Sequence, residues 1–292
     1  MFERRCTSLI QTKKEQIMRL AIIGCGYVGS RVARLWHEAG NDVTVTTTSP
    51  NKITALQTIS DRVVILMGND SDTLQRVISD RDVVLLSIGS KQRTPEVYRQ
   101  TYLETAQNLV AAVKAGTEVK QIIYTGSYGL INDKSGGTIN ETIAVKPKDE
   151  FGEILYRAEQ VLLSAANDNL KTCILRLSGI YGEGRELIKI FGRVAGTTRP
   201  GSGDRYTNWV HVEDIVRAID FAKEQQLEGI YNLNSDEMMT IKEFFQRLFE
   251  AHNLPPVTWD SSHSARGNNM KLSNQKIKDA GFELAHPQIE FK

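Results

Sequence analysis

Short apolar runs alternate with longer stretches of helical spacing along the first 180 or so residues. Leu20–Ile23, Val43–Thr47, Val63–Met67, Val83–Ile88, Val119–Thr125 and Thr172–Leu177 are rich in Val, Ile and Thr and too short for helices, so they are predicted as strands. Between them Val28–Glu38, Lys52–Ile59, Asp72–Ile78, Pro95–Ala115 and Glu150–Ala166 carry a helical pattern. Gly40 and Gly116 stand where helix C-terminal glycines are expected. This alternation predicts an α/β fold, a Rossmann-type doubly wound parallel sheet covered on both faces by right-handed crossovers.

After Leu177 the pattern loosens. Gly and Pro punctuate Gly179–Gly203, a helix is expected from Val212, a short strand at Ile230–Leu233, and further helices at Ile241–His252 and Ser273–Ala280. The expected organisation is an N-terminal extension over 1–17, a dinucleotide-binding domain over 18–178 and a smaller C-terminal substrate lobe over 179–292. Part of that lobe, about 205–233, is a candidate to return to the sheet. Open α/β sheets bind ligands at the carboxyl ends of their strands, which is where the lobe is expected to sit.

Composition narrows the partners. The chain is 40% hydrophobic and 24% charged with a formal net charge of +1. That balance gives no electrostatic footprint for nucleic acid or for an anionic membrane, and a small-molecule substrate is the default expectation. No apolar run approaches the roughly 18 residues of a membrane span. The first 17 residues are polar and basic and lack the apolar stretch of a secretory signal. The three cysteines, Cys6, Cys25 and Cys173, show no paired spacing, which points to thiols in a reducing cytoplasm. The five histidines are scattered at no metal-ligand spacing, and no metal site is expected.

The sharpest motif is Gly24-Cys25-Gly26-Tyr27-Val28-Gly29, a G-x-G-x-x-G that follows a strand and opens a helix. Gly24 permits the tight turn, Gly26 lets a pyrophosphate approach the backbone, and Gly29 lets helix and strand pack closely. Free N–H groups at the helix start, those of Tyr27 and Val28 among them, then face the phosphates. The end of the second strand has no acid to hold a ribose 2′-hydroxyl. It reads Thr46-Thr47-Thr48-Ser49-Pro50-Asn51-Lys52, and Thr47, Thr48, Ser49 and Lys52 suit a 2′-phosphate. NADP is therefore the expected cofactor, with NAD the alternative. Asp70, after the third strand, reads equally as a partner for the adenine amine and as a helix N-cap. Ser87 and Gly89 end the fourth strand on the expected nicotinamide side.

Several stretches in order resemble the extended short-chain dehydrogenase/reductase superfamily, the NAD-dependent epimerase/dehydratase group, and in particular its atypical YeeZ-like members. They are Ile122–Ser127, Leu175–Gly182, Asn208–Asp214 and Lys271–Phe282. The resemblance runs from about Arg19 to Leu284. It implies an oxidoreductase or epimerase acting on a small polar or sugar-like substrate, and a homodimer formed through the Pro95–Ala115 and Glu150–Ala166 helices. It identifies Ser127 with the catalytic serine, with Thr125 just inside it, and puts Asn208 and His211 near the substrate. Arg185 and Arg199 flank the substrate loop as candidates for an anionic group, and Arg176 is expected to pair with a carboxylate below the site.

One departure matters. The superfamily's acid–base pair is a Tyr-x-x-x-Lys on the helix after the fifth strand. There this chain reads Phe151-Gly152-Glu153-Ile154-Leu155-Tyr156-Arg157-Ala158-Glu159, which puts Phe151 and Leu155 at the two positions. Neither transfers a proton. None of the nine tyrosines has a lysine four residues later. Tyr128 and Tyr156 are the candidate proton donors, and Tyr124 also lies within reach of the strand end. Three readings stay open: an enzyme of altered chemistry, a dinucleotide-binding sensor or assembly factor without redox catalysis, and a scaffold that has lost its cofactor.

Overall fold

The structure is a computed structural model that describes residues 17–264 and 267–292. The basic extension, apart from Ile17, lies outside the described residues. Seven strands form one fully parallel sheet: β1 (Arg19–Ile23), β2 (Asp42–Thr47), β3 (Arg62–Ile65), β4 (Val83–Leu86), β5 (Gln121–Ser127), β6 (Lys171–Leu177) and β7 (Gly229–Leu233). Their order is β7-β6-β5-β4-β1-β2-β3. The order reverses between β1 and β4, the topological switch point where such sheets bind ligands. The seventh strand, from the C-terminal third of the chain, lies parallel to β6 with Asn232 opposite Arg176.

Side chains alternate across each strand, so both faces are apolar and each needs a cover. One face is covered by α1 (Gly29–Glu38), whose Val32, Ala33 and Trp36 are fully buried, and by the Val212–Glu224 helix through Ile215, Ala218 and Ile219. The other face is covered by α2 (Ser71–Ile78), α3 (Thr105–Lys114) and α4 (Glu150–Leu163), using Leu74, Leu109, Ala158 and Leu162. We number the Val212–Glu224 helix α5. Trp36 donates its indole N–H to Asp220 at 2.9 Å, which ties α1 to α5.

The predicted Pro95–Ala115 helix is interrupted. It runs as Pro95–Tyr98, then as a wider π-helical segment Arg99–Glu104, and only then as α3. The widening swings Tyr98 and Tyr102 toward α4, where Tyr98 meets Phe151 and Tyr102. The predicted Lys52–Ile59 helix shrinks to a Pro50–Lys52 turn and one turn at Ile53–Leu56.

The rest of the C-terminal third has its own apolar layer. Phe191, Trp209, Phe244, Phe245 and Phe249 pack with Tyr181 and Trp259 around the Ile241–Ala251 helix. A smaller cluster of Leu130, Ile131, Ile139, Met270 and Leu272 lies beneath Tyr128 and Leu155. The free edge of β7 is closed by side chains: Lys276 donates to the Ile230 carbonyl at 2.6 Å, and Glu141 accepts the Asn232 N–H at 2.7 Å. Such blocking keeps a sheet edge from pairing with another chain.

Candidate functional site

The glycine loop is built by three different constraints. Gly24 has φ +92°, and a Cβ there would stand 2.6 Å from the Ser87 carbonyl. A Cβ on Gly29 would stand 2.7 Å from the Gly24 carbonyl. The fold itself therefore requires these two glycines. Gly26 is different, because a Cβ there meets nothing within 4 Å. Among the described residues neither a positive φ nor a close neighbour calls for glycine at Gly26, and its open side leaves the backbone accessible. The loop is held from β2: the Gly24 N–H donates to Thr46 Oγ1 at 3.0 Å and the Cys25 N–H to the Thr46 carbonyl at 2.8 Å. Helix α1 begins with Val28 at its N-cap, with no side-chain cap and no acid in its first turn. Its N-terminal end is left to attract an anion.

At the end of β2, Thr47 Oγ1 accepts the Ser49 N–H at 3.1 Å and turns the chain. Lys91, which sequence reasoning passed over, donates to Ser49 Oγ at 3.0 Å. Burial pushes the Cys25 thiol up to about 12, and the charge of Lys52 opposes that rise. Lys91 and the Ser49 hydroxyl thus meet just past the end of β2, with Lys52 three residues further on. Thr48 is exposed at the same strand end. Asp70 is the N-cap of α2 and accepts the Thr73 N–H at 3.0 Å, which holds its carboxyl below the usual range. Beyond β4, Ser87 donates its N–H to the Ile23 carbonyl, Gly89 faces open space, and the Ser90 N–H donates to the Tyr102 hydroxyl at 3.0 Å.

The end of β5 separates the residues proposed for chemistry. Ser127 Oγ accepts the Gly129 N–H at 3.1 Å and keeps its own proton to donate. Thr125 is turned into the sheet, donating toward Ser87 Oγ at 3.3 Å and the Leu86 carbonyl at 3.4 Å. Tyr128 packs on the small apolar cluster beside Asn208 and Arg205; burial pushes its phenol up, and those two neighbours pull it partly back. It is therefore a donor at neutral pH and not a base. Tyr124 is corrected outright: it is 1% exposed, within the core beneath the sheet, and does not reach a substrate.

On α4, Phe151 packs edge-on against Tyr98 with ring centres 4.8 Å apart, and the Arg93 guanidinium lies 5.2 Å from the Phe151 ring centre. Leu155 packs on the Leu130–Leu272 cluster. Tyr156, next on the helix, is half-buried. Below the strand end, Arg176 and Glu159 form a buried ion pair with Nη2–Oε2 at 2.7 Å, and burial still leaves the Glu159 carboxyl raised. Gly126 makes room for it: a Cβ there would stand 3.0 Å from Glu159 Oε1.

The candidates from the C-terminal third divide too. Asn208 spends both ends of its amide on backbone, donating to the Met270 carbonyl at 3.0 Å and accepting the Leu272 N–H at 2.8 Å. That fastening, with the residue 4% exposed, holds the amide inside the lobe, with its second N–H left toward the Tyr128 side. Arg205, which precedes the Asn208–His211 segment in the sequence, is the cation beside Tyr128. Arg199 lies against Phe245 in the lobe's aromatic layer. Arg185 instead faces Tyr27 of the glycine loop, 5.7 Å from its ring centre.

His211 is the N-cap of α5, its Nδ1 accepting the Glu213 N–H at 3.3 Å. Its ring lies 3.7 Å from that of His286, which bridges Glu213 at 2.9 Å and Glu290 at 2.7 Å. Ligand atoms of His211, Glu213 and His286 come within 4.8 Å of one another. The two rings are tilted by 40°, and both His286 nitrogens are already engaged by Glu213 and Glu290. A cavity of about 580 Å³ opens beside Gly229 and Lys276. That is the amino end of β7, opposite the glycine loop.

Residues 20–233 match the family described as NAD dependent epimerase/dehydratase. The chain belongs to this family. It is 22% identical over 313 aligned positions to the Epimerase family protein SDR39U1 homolog, chloroplastic, of Arabidopsis thaliana, covering 98% of this chain and 89% of that one. It is 23% identical to an epimerase family protein of Staphylococcus aureus strain MW2, covering 91% and 94%. Among solved structures, UDP-N-acetylglucosamine 4-epimerase from Methanobrevibacter ruminantium M1, in complex with UDP-N-acetylmuramic acid, aligns with a TM-score of 0.78 at 16% identity, covering 92% and 93%. UDP-glucuronic acid 4-epimerase from Bacillus cereus, in complex with NAD, aligns at 0.75 and 17%, covering 94% and 95%. Likeness at such identities is likeness of fold. It agrees with the extended short-chain dehydrogenase/reductase resemblance of the sequence. No helix among the described residues is long and apolar enough to cross a membrane.

Proposed function

We propose that this epimerase/dehydratase family member binds NADP(H) at the glycine loop and acts on a small polar, sugar-like substrate between the ends of β4 and β5 and the C-terminal lobe. The observation that carries the dinucleotide is Gly26, a glycine that the fold does not need and that faces open space. Gly24–Gly29 and the start of α1 would hold the pyrophosphate, and Ser87 and Gly89 would lie along the nicotinamide. Ser49, Lys52 and Lys91 favour the 2′-phosphate, since two ammonium groups and a hydroxyl complement a dianion that a 2′-hydroxyl does not supply. Such a cofactor would supply hydride chemistry. The chain's own contribution is Ser127, whose free O–H is placed to polarise a substrate oxygen, with Tyr128 as a half-buried proton donor. Solved epimerases of this fold hold UDP-sugars, which makes sugar nucleotides the first substrates to test.

A second reading has its own support. Phe151 and Leu155 stand where the superfamily's acid–base pair belongs, each within aromatic or apolar contacts. That fits a dinucleotide-binding sensor or assembly factor without redox catalysis.

Calorimetric titration with NADPH and NADH side by side tests the first statement. Tight NADPH binding with weak NADH binding is expected, and no binding of either overturns it. Turnover of a sugar-nucleotide panel, with Ser127→Ala losing rate and keeping cofactor affinity, then separates enzyme from sensor. Equal loss of rate and affinity would contradict the role given to Ser127.

A further inference from the structure

Above the glycine loop, the segment Gly182–Glu186 is fastened to Tyr27. The Tyr27 hydroxyl donates to the Glu183 carbonyl at 2.7 Å. Arg31 donates to the same carbonyl at 2.8 Å and to the Tyr27 carbonyl at 3.0 Å. Paired bonds between Gly182 and Arg185 close the segment into a tight loop, with φ +133° at Gly182 and +79° at Gly184. Both arginines face the Tyr27 ring, Arg31 at 4.2 Å and Arg185 at 5.7 Å from its centre.

The two cations are not equivalent. Arg31 is spent on carbonyls and on the Glu183 carboxylate at 3.8 Å. Of the acids flanking Arg185, Glu183 is turned to Arg31, and Glu186 is held by Lys189 at 2.9 Å and by the Gly184 N–H. Among the described residues, Arg185 has no carboxylate within ion-pair distance. Arg185 is thus an exposed cation without a carboxylate partner, on a loop that is fastened to Tyr27, the residue after Gly26 and just before the uncapped start of α1.

We infer that Arg185 is a dinucleotide-binding residue, the lobe's counter-charge for the pyrophosphate seated on the glycine loop. This rests on the dinucleotide reading above and goes beyond it, because it makes the lobe part of the cofactor site. A pyrophosphate carries two charges. The helix start meets them with partial charges and N–H groups, and a guanidinium fork supplies the full opposite charge with paired donors.

The test compares two probes on the full chain: NADPH, which carries the pyrophosphate, and adenosine 2′-phosphate, which does not. Arg185→Gln is expected to weaken NADPH by about tenfold or more, the scale of a lost charge-assisted hydrogen bond. It should leave adenosine 2′-phosphate affinity and the melting temperature unchanged, and Arg185→Lys should recover part of the loss. Unchanged NADPH affinity in Arg185→Gln overturns the inference. So does equal loss for both probes, which would mean general electrostatics or damage. If the unaltered protein binds neither probe, the dinucleotide reading itself falls, and this inference with it.

Discussion

Phe151 meets Tyr98 edge-on, ring centres 4.8 Å apart, on the first turn of α4. Four residues on, Leu155 lies on an apolar cluster. Both positions are built into packing, so the departure from Tyr-x-x-x-Lys is structural as well as chemical. Leu155→Lys is expected to destabilise the fold by about 1–3 kcal/mol, since a charge there must leave an apolar surface or desolvate. Phe151→Tyr, at a half-buried ring, is expected to be near neutral. Urea unfolding of the two variants checks this. A neutral Leu155→Lys would show that the position is open to a lysine after all.

The three glycines of the loop should respond differently to a single methyl group. Gly29→Ala is expected to cost about 1–3 kcal/mol, because its Cβ must displace the Gly24 carbonyl. Gly26→Ala should melt like the unaltered protein yet bind NADPH far more weakly, and Gly26→Asp should not bind it at all. Paired melting curves and titrations decide this. Retained affinity in Gly26→Asp would remove the site assignment.

Lys91 reaches Ser49 from a stretch 42 residues further along the chain. Lys91→Ala and Lys52→Ala are each expected to lower NADPH affinity by about tenfold, as for an exposed charge-assisted contact, and to leave NADH affinity unchanged. Equal effects on the two cofactors would point to general charge and not to a 2′-phosphate pocket.

The Glu159–Arg176 pair lies at 0% and 1% side-chain exposure. Removing one partner leaves the other charge buried, so Glu159→Ala is expected to destabilise by about 3–5 kcal/mol. Denaturant titration measures it. A loss below about 1 kcal/mol, the scale of an exposed pair, would mean that water reaches the site.

His286 sits between Glu213 and Glu290, and these carboxylates hold its pKa above the ordinary histidine value although burial opposes them. A folded-state pKa raised in this way gives stability that is fully present below the unfolded value near 6.5. It is lost as pH rises through the folded one. The C-terminal segment, whose Ala285 and His286 N–H groups donate to the buried Asp214, should therefore loosen first on the alkaline side. His286→Gln should flatten stability against pH in that window, read by melting temperature from pH 6 upward. An unchanged slope would show that the bridge contributes nothing.

The sheet and its first helices were legible in the sequence because they rest on local signals. A period of two or of 3.6, together with the glycine that ends an element, is written in neighbouring residues. The dinucleotide loop was legible for the same reason: strand, Gly24-x-Gly26-x-x-Gly29 and helix are contiguous. Even the loss of the acid–base pair could be read, since Phe151 and Leu155 stand at a fixed spacing on one helix.

What tertiary structure decided were meetings between distant segments. Tyr124, Thr125 and Ser127 look alike in sequence as polar groups at a strand end, but the pleat sends Tyr124 into the core, folds Thr125 back toward Leu86 and Ser87, and leaves Ser127 its proton. Asn208 looked exposed in sequence, but Met270 and Leu272 hold its amide inside the lobe. Lys91 reached Ser49, and Arg185 reached Tyr27, with no local pattern to announce either. Local geometry sets which elements form; the close-packed arrangement of those elements sets which side chains keep an unspent hydrogen bond or charge, and only those can act on a ligand.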